Sequence, residues 1–469
     1  MKPLFAAGFA LAVAVCAPES RAQAADPASA AAAADLRALR QQLDALRNDY
    51  EARLQALEAR LRATEAGRAD APAAAPVAAV APAAPAAVTA RSGGAANAFN
   101  PALSLILSGL YVNASRDPAD YAIRGFALPA GAEVGPGLRG FSLAETELGI
   151  SASIDPWWFG SASLALHGDD SVSVEEAYVQ TTALGNGLTL KAGRFLSNIG
   201  YLNAKHAHTW DFVDNPLAYQ AMLGTQFGDD GVQLRWLAPT DRYLEIGAEL
   251  GRGRSFPGSD SGRNGAGMWS LSAHTGGDIG DSHDWRAGLS LLGARANGLG
   301  LVQADAAGRS VESAFTGTTR VFVADAVWKW APGGNATRTS FTLQGEYLRS
   351  RRRGELVYDG AGAESAGALR ATQSGWYVQG VYQFVPRWRV GLRTERLAPG
   401  RPDDGANAGL LVPVDARPAK ASLMLDYAAS EFSRLRLQFA LDRAREGAAD
   451  RQVVLQYQMS LGAHGAHGY

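Results

Sequence analysis

The sequence predicts an all-β protein, a sixteen-stranded antiparallel transmembrane β-barrel preceded by a periplasmic α-helical coiled coil. Three observations carry this expectation. Most of the 469-residue chain consists of short segments that alternate apolar and polar residues with a period of two, the mark of strands with one greasy and one polar face. The links between them are alternately short and long, as when tight turns gather on one rim of a barrel and loops on the other. Tryptophans sit beside these links and not in mid-strand. Formal charge is nearly balanced at net -2, so nothing points to nucleic acid as a partner.

Residues 1–24 read as an export signal, with Lys2, an apolar run from Leu4 to Val15 and the small-residue site Ala22-Gln23-Ala24. The single cysteine, Cys16, lies inside it, so the mature chain has none. Val15 is too bulky for the residue before a lipidated cysteine. No later apolar run approaches the roughly 20 residues of a membrane helix.

Residues 31–66 form the coiled coil. Leu36, Leu39, Leu43, Leu46 and Tyr50 recur at three- and four-residue steps, followed by Leu54, Leu57 and Leu61 after a stutter. A lone helix cannot bury such a stripe, so self-association is expected. An alternative is that it reaches cell-wall peptidoglycan and tethers the envelope, since 36 helical residues span on the order of 54 Å. Residues 67–98, rich in Ala and Pro, are a semi-extended linker.

The barrel is assigned to residues 99–469. Its predicted strands are 103–113, 144–154, 158–167, 174–181, 188–194, 232–237, 243–250, 268–275, 285–292, 321–330, 341–349, 376–385, 388–397, 421–429, 435–442 and 453–461. Seven of the ten tryptophans flank short links, namely Trp157, Trp158, Trp236, Trp285, Trp328, Trp330 and Trp388; Trp269 and Trp376 begin strands at the long-loop end. Indoles prefer a membrane interface, where an apolar ring and a polar N–H are both satisfied.

Trp388, Val390 and Leu392 are therefore expected to face lipid, and Arg389 and Arg393 a lumen wet enough to keep them charged without a buried partner. Leu435, Leu437 and Phe439 oppose Arg434, Arg436 and Gln438 in the same way. Sixteen strands enclose more space than wall side chains fill, which implies an aqueous channel. Val321 and Val323 break the pattern, standing on the expected inner face.

The segment LKAGRFLSNIGYLN, 190–203, followed by GDDGVQLRW, 228–236, resembles the strand, inward-folding loop and return strand of the phosphate-selective porin O/P family. The wider pattern of export signal, coiled coil and barrel is similar to uncharacterised porin-like proteins of proteobacteria. The resemblance implies a trimeric outer-membrane channel passing small hydrophilic solutes. The basic, proline-containing run that follows the motif in that family is replaced here by LSNIGYLNAKHAHTW, so phosphate selectivity is not implied.

The long loop 195–231 is the candidate constriction, presenting Lys205, His206, His208, Trp210, Asp211 and Asp214. Expected lumenal charges divide by sector, with Glu145, Glu147, Glu176, Glu245 and Glu249 on early strands and Arg389, Arg393, Arg434 and Arg436 on late ones. Such a division sets up a transverse field. Glu395 and Lys191 spoil the separation, so no strong ion preference is expected.

Two histidine pairs, His206 with His208 and His464 with His467, suggest an alternative in zinc or copper binding or uptake, although no spacing matches a catalytic zinc motif and the pairs fall at opposite ends of the barrel. No resident cofactor or metal is assigned. No serine–histidine–acid set falls on the lipid face, and HGDDS at 167–171 uses ordinary loop residues, so an enzyme is not expected.

Overall fold

The computed structural model describes residues 101–462, apart from 145, 169, 261, 263, 360, 361, 363 and 412–414. The expected signal, coiled coil and linker lie outside the described residues, as do Glu145, His464 and His467.

The described chain is an antiparallel sheet closed on itself. Its strands are β1 (Ala102–Ala114), β2 (Gly140–Leu143 and Thr146–Ser153), β3 (Trp158–Leu166), β4 (Val172–Thr181), β5 (Leu188–Leu196), β6 (Gly228–Leu237), β7 (Tyr243–Gly251) and β8 (Met268–Ile279). They continue with β9 (His283–Ala304), β10 (Ser310–Trp330), β11 (Ser340–Tyr358), β12 (Ser365–Val385), β13 (Trp388–Ala398), β14 (Ala419–Ser430), β15 (Ser433–Asp442) and β16 (Asp450–Gly462). Both pieces of β2 pair with β1, so seventeen segments make sixteen staves. Pairing of β1 with β16, from Ser104↔Gly462 to Ala114↔Gln452, closes the ring. Closure leaves no sheet edge, which is what a membrane-spanning sheet requires.

The outside of this cylinder is apolar over a belt. Leu392 is 61% exposed, and Leu107, Ile246, Leu271, Leu289, Leu423 and Leu435 are exposed with it. Trp236 and Trp388 stand on this outer face near the short-turn rim, and Trp269 and Trp376 near the other. Arg393, one residue from Leu392 and on the opposite face, is 1% exposed. That alternation matches the expectation.

Strands β9 to β12 depart from it. They run 22, 21, 19 and 21 residues, where the sequence reading ended each after eight to ten. At ~3.3 Å per residue a 21-residue strand is roughly 70 Å long, so these hairpins stand well clear of any lipid layer. Outside it their polarity inverts. Arg295, Thr318, Arg320, Arg349, Arg351 and Arg353 point outward into water, while Phe315, Leu356 and Leu369 pack inward with Leu301 and Val311. Much of the expected long loops 293–320 and 350–375 is therefore strand. A search for apolar outer faces misses it because water, not lipid, lies outside.

A bulge in β4 shapes the site. Opposite β3, Ser163 pairs with Glu176 but Leu164 pairs with Val174, which leaves Glu175 as an extra residue. A bulge of this kind re-aims side chains. Val172 and Val174 face out before it, Ala177 and Val179 after it. The facing parity changes at Glu175.

Candidate functional site: a loop folded across the lumen

The chain between β5 and β6, residues 197–227, folds into the barrel. Its departure is fixed by the Gly193-Arg194-Phe195 motif. Gly193 has φ 129° and lies against β4 so closely that a Cβ would meet the Ala177 carbonyl at 2.3 Å. Arg194 forms a two-pronged ion pair with Asp230 on the returning strand, Nε–Oδ1 2.6 Å and Nη2–Oδ2 3.2 Å. The two halves of the sequence motif thus clamp the loop's ends together.

From there the loop is hung on the wall group by group. The Ser197 hydroxyl donates to Glu249 Oε2 at 2.5 Å and the Asn198 N–H to Glu249 Oε1 at 2.8 Å. Gly200 N–H reaches Ser290 at 3.1 Å. The N–H groups of Tyr201 and Leu202 converge on the Glu346 carboxylate at 3.1 and 3.0 Å, and the hydroxyls of Tyr219 and Tyr377 complete its shell at 2.8 and 2.6 Å. Burial, followed by the nearby Glu346, keeps the Tyr219 hydroxyl protonated well above 10.0, so it acts as a donor.

The histidines come next. His206 sits between adjacent carboxylates, Nδ1 2.9 Å from Glu175 Oε2 and Nε2 3.0 Å from Glu176 Oε2. His208 Nδ1 is 2.8 Å from Glu147 Oε2. Burial pulls the His206 imidazole down, but hydrogen bonds to Glu147, Glu175 and Glu176 outweigh it and hold the ring well above 6.5. Glu175 reaches this group only because of the bulge. Strict alternation would have sent it to the lipid.

Within six residues of His208 the loop is on the other side of the lumen. Asp211 Oδ1 pairs with Arg389 at 2.9 Å, Asp214 Oδ1 with Arg393 at 2.7 Å, and Asp214 Oδ2 with Lys420. The Phe212 ring lies 4.6 Å from the Arg393 guanidinium, and Val213 N–H donates to Gln438 at 3.0 Å. Burial raises the Asp214 carboxyl, but Lys420 and Arg393 overcome it and hold the group well below 3.8. Arg434 ties the two halves together, donating to the His208 carbonyl at 2.8 Å and to Gln458 at 2.6 Å.

A short helix, α1 (Leu217–Leu223), then packs apolar side chains against the inner face of the wall. Leu217, Tyr219, Met222 and Leu223 pack with Ile199, Leu202, Phe227, Val321, Val323 and Leu348. Burying each large side chain is worth about 1.5–3 kcal/mol, so this packing is a substantial anchor. The inward valines of β10 are accounted for: they face the loop, not water.

Several expectations are corrected here. Arg389 and Arg393 do have buried partners. Arg389 pairs with Asp211 and Asp426, and Arg393 with Asp214 and, at 2.8 Å, Glu395. The low dielectric of the loop-filled lumen demands such pairing. Arg436 likewise meets Asp426 at 3.3 Å. Lys205 does not join the carboxylates; its Nζ is 3.0 Å from the Tyr201 hydroxyl and above that ring. The expected transverse field is largely quenched, because the loop brings imidazoles to the carboxylate sector and carboxylates to the guanidinium sector. Glu395, expected among the lumenal charges, pairs with Arg393; Glu175, Glu346, Lys420 and Asp426 were missed as site residues, though Glu175 carried a signal: a carboxylate on a supposed lipid face flags a bulge.

No family model matches the chain. Over 401 residues, 79% of this chain and 80% of the other, it is 30% identical to an uncharacterised protein of Aquifex aeolicus (strain VF5). The chain belongs to the family of that protein. Among solved structures it is similar to the loop L8 deletion mutant of OmpT, an outer membrane protein of Vibrio cholerae, at TM-score 0.47 and 11% identity, covering 78% of this chain and 100% of that one. Pseudomonas putida OprB follows at TM-score 0.46 and 13% identity over 77% and 94% of the two chains. An anion-selective porin from Comamonas acidovorans gives 0.45 and 11% over 77% and 99%.

Proposed function

We propose that this protein is an outer-membrane channel for passive diffusion of small hydrophilic solutes, narrowed by residues 197–227. The observation that supports it most is the loop itself: a polar and charged segment built inward across a closed barrel whose outer face is apolar. An apolar exterior belongs in lipid, and a loop held across the interior limits what passes. Lys205, His206, His208, Asp211 and Asp214, with Glu145, Glu147, Arg389, Arg393, Arg434 and Arg436 from the wall, are the proposed constriction.

The working unit is proposed to be a homotrimer in outer-membrane lipid, with residues 31–66 in the periplasm as the assembly element or a peptidoglycan tether. Deleting 31–66 separates these roles. Loss of trimers with conductance retained supports assembly, whereas loss of cell-wall retention supports tethering.

Single-channel recording on the purified protein, with phosphate, sugars and amino acids as blockers, tests the channel reading. Steady ohmic conductance with a reversal potential near zero in a salt gradient is expected, because the sector charges are internally compensated. Absence of conductance from folded protein sinks the reading; strong preference for one ion sinks only the compensation argument.

A further inference from the structure

We infer that Glu147, His206 and His208, backed by Glu175 and Glu176, form a binding site for a first-row divalent transition metal ion such as Zn²⁺. Ligand atoms of Glu147, His206 and His208 lie within 4.8 Å of one another. Glu147 Oε2 is 2.8 Å from His208 Nδ1 and 3.4 Å from His206 Nδ1. Two imidazoles with carboxylate oxygens and no thiolate is a donor set for zinc and its neighbours, and a poor one for the all-oxygen preference of calcium or magnesium.

Two features distinguish this cluster from a chance ion-pair network. The carboxylates are held by one oxygen and offer the other. Ser163 Oγ donates to Glu147 Oε1 at 2.5 Å, and Leu196 N–H donates to Glu176 Oε1 at 2.9 Å, so the Oε2 atoms of both turn toward the imidazoles. Metal ligands are oriented by outer partners in this way. The second feature is charge. Glu147, Glu175 and Glu176 bring three carboxylates to a half-buried spot, against two imidazoles and, near Glu176, the Lys191 ammonium. The guanidinium sector across the lumen is held by direct ion pairs, with Arg389, Arg393, Lys420 and Arg436 against Asp211, Asp214, Glu395, Asp426 and Asp442, while Arg434 donates to the His208 carbonyl and to Gln458. Three carboxylates converging on two imidazoles suit a divalent ion, whose binding releases any imidazole proton to solvent.

The site rests on where the loop lies, not on whether the barrel conducts. Its occupation pins residues 206–208 to β2 and β4 through coordination bonds, so metal fixes the loop on the side where hydrogen bonds alone hold it.

The experiment is calorimetric titration of the full chain, folded in detergent, with Zn²⁺, alongside the visible absorption of the Co²⁺ complex. A baseline variant, H464A/H467A, removes the carboxyl-terminal histidines as competitors. One equivalent is expected to bind to this baseline and to resist excess Mg²⁺ or Ca²⁺. Adding H206A/H208A is expected to weaken binding by about 100-fold or more, and S163A, which leaves every ligand in place, by about tenfold. His283→Ala, at the opposite rim, changes nothing. Failure of the baseline to bind one equivalent, or undiminished binding in H206A/H208A protein that migrates as folded barrel, overturns the proposal. If the double variant does not fold, undiminished Zn²⁺ affinity in S163A, with an unaltered Co²⁺ spectrum, overturns it instead. Metal binding by protein that fails to conduct leaves this site standing and removes the channel reading.

Discussion

On the β2–β4 side of the lumen the inward loop is held by imidazoles lying against carboxylates; on the β13–β15 side it is held by carboxylates lying against guanidinium and ammonium groups. The same ten residues, 205–214, carry both polarities in the order each wall needs. The chemistry differs in permanence. A guanidinium stays charged at any physiological pH, so Asp211 and Asp214 always find partners. The His206–His208 anchor instead sets imidazoles against Glu147, Glu175 and Glu176. One wall holds the loop through permanent cations and the other through imidazoles.

The comparison is broken most directly at Arg393. Its side chain is enclosed by Asp214, Glu395 and the Phe212 ring, and removing one member of a buried ionic group strands the rest. Arg393→Met is expected to cost about 3–5 kcal/mol of barrel stability, measured by urea unfolding in detergent. His208→Ala, on the imidazole wall, is expected to cost clearly less. Equal losses would show that the two anchors are not different in kind.

Acid distinguishes the walls next. Because the Asp214 carboxyl is depressed in the folded protein, the stability it contributes is complete above 3.8 and is lost only as pH falls through its lower folded value. Hydrogen exchange in residues 213–215 should therefore remain protected down to about pH 4, where an ordinary aspartate is already half protonated. Asp214→Asn should lose that protection at every pH. Loss of protection in the native chain above about pH 4 would contradict the pairing with Lys420 and Arg393.

Much of this could be read from residue order. The period-two faces of Leu435 to Gln438, the alternation of rims and the tryptophan positions all follow from lipid outside and water inside, a boundary condition that acts on every strand alike. The inward loop was legible too, as a long polar segment after the Gly193-Arg194-Phe195 start. What could not be read is who meets whom across the lumen. Glu346 gathers two N–H groups of the loop and two tyrosine hydroxyls from chain positions up to 145 residues away from it, and no local pattern announces that. Val321 and Val323 were noticed as anomalies yet lacked a reason until Tyr219 and Leu202 were seen packed against them. The β9–β12 extensions escaped because the boundary condition itself changes above the lipid.

Gly200 sharpens the Glu346 contact. It has φ 66°, and a Cβ there would lie 2.3 Å from Glu346 Oε2 and 2.7 Å from the Tyr219 hydroxyl. Gly200→Ala should cost about 1–3 kcal/mol, the usual penalty for a side chain in the left-handed region. Part of that cost should appear as faster exchange of the Tyr201 and Leu202 amides. A neutral substitution would mean the loop does not approach β11 this closely.

The smallest effect is expected where the sequence reading erred most. If Glu175 is an extra residue in β4, deleting it restores continuous alternation: Val174 stays opposite Leu164, Glu176 stays opposite Ser163, and no downstream side chain changes face. The deletion should therefore fold with a loss of only about 1 kcal/mol, far less than a register slip that drives Glu176 and Tyr178 into lipid. Heat-modifiable migration of the deletion variant beside a matched deletion of Val179 is the test. Val179 is paired with Gly160 in unbroken register, so its removal inverts one end of the strand and should prevent folding. Equal folding defects in the two would place Glu175 in the regular ladder, and His206 would then lack one of the carboxylates that hold the loop to β4.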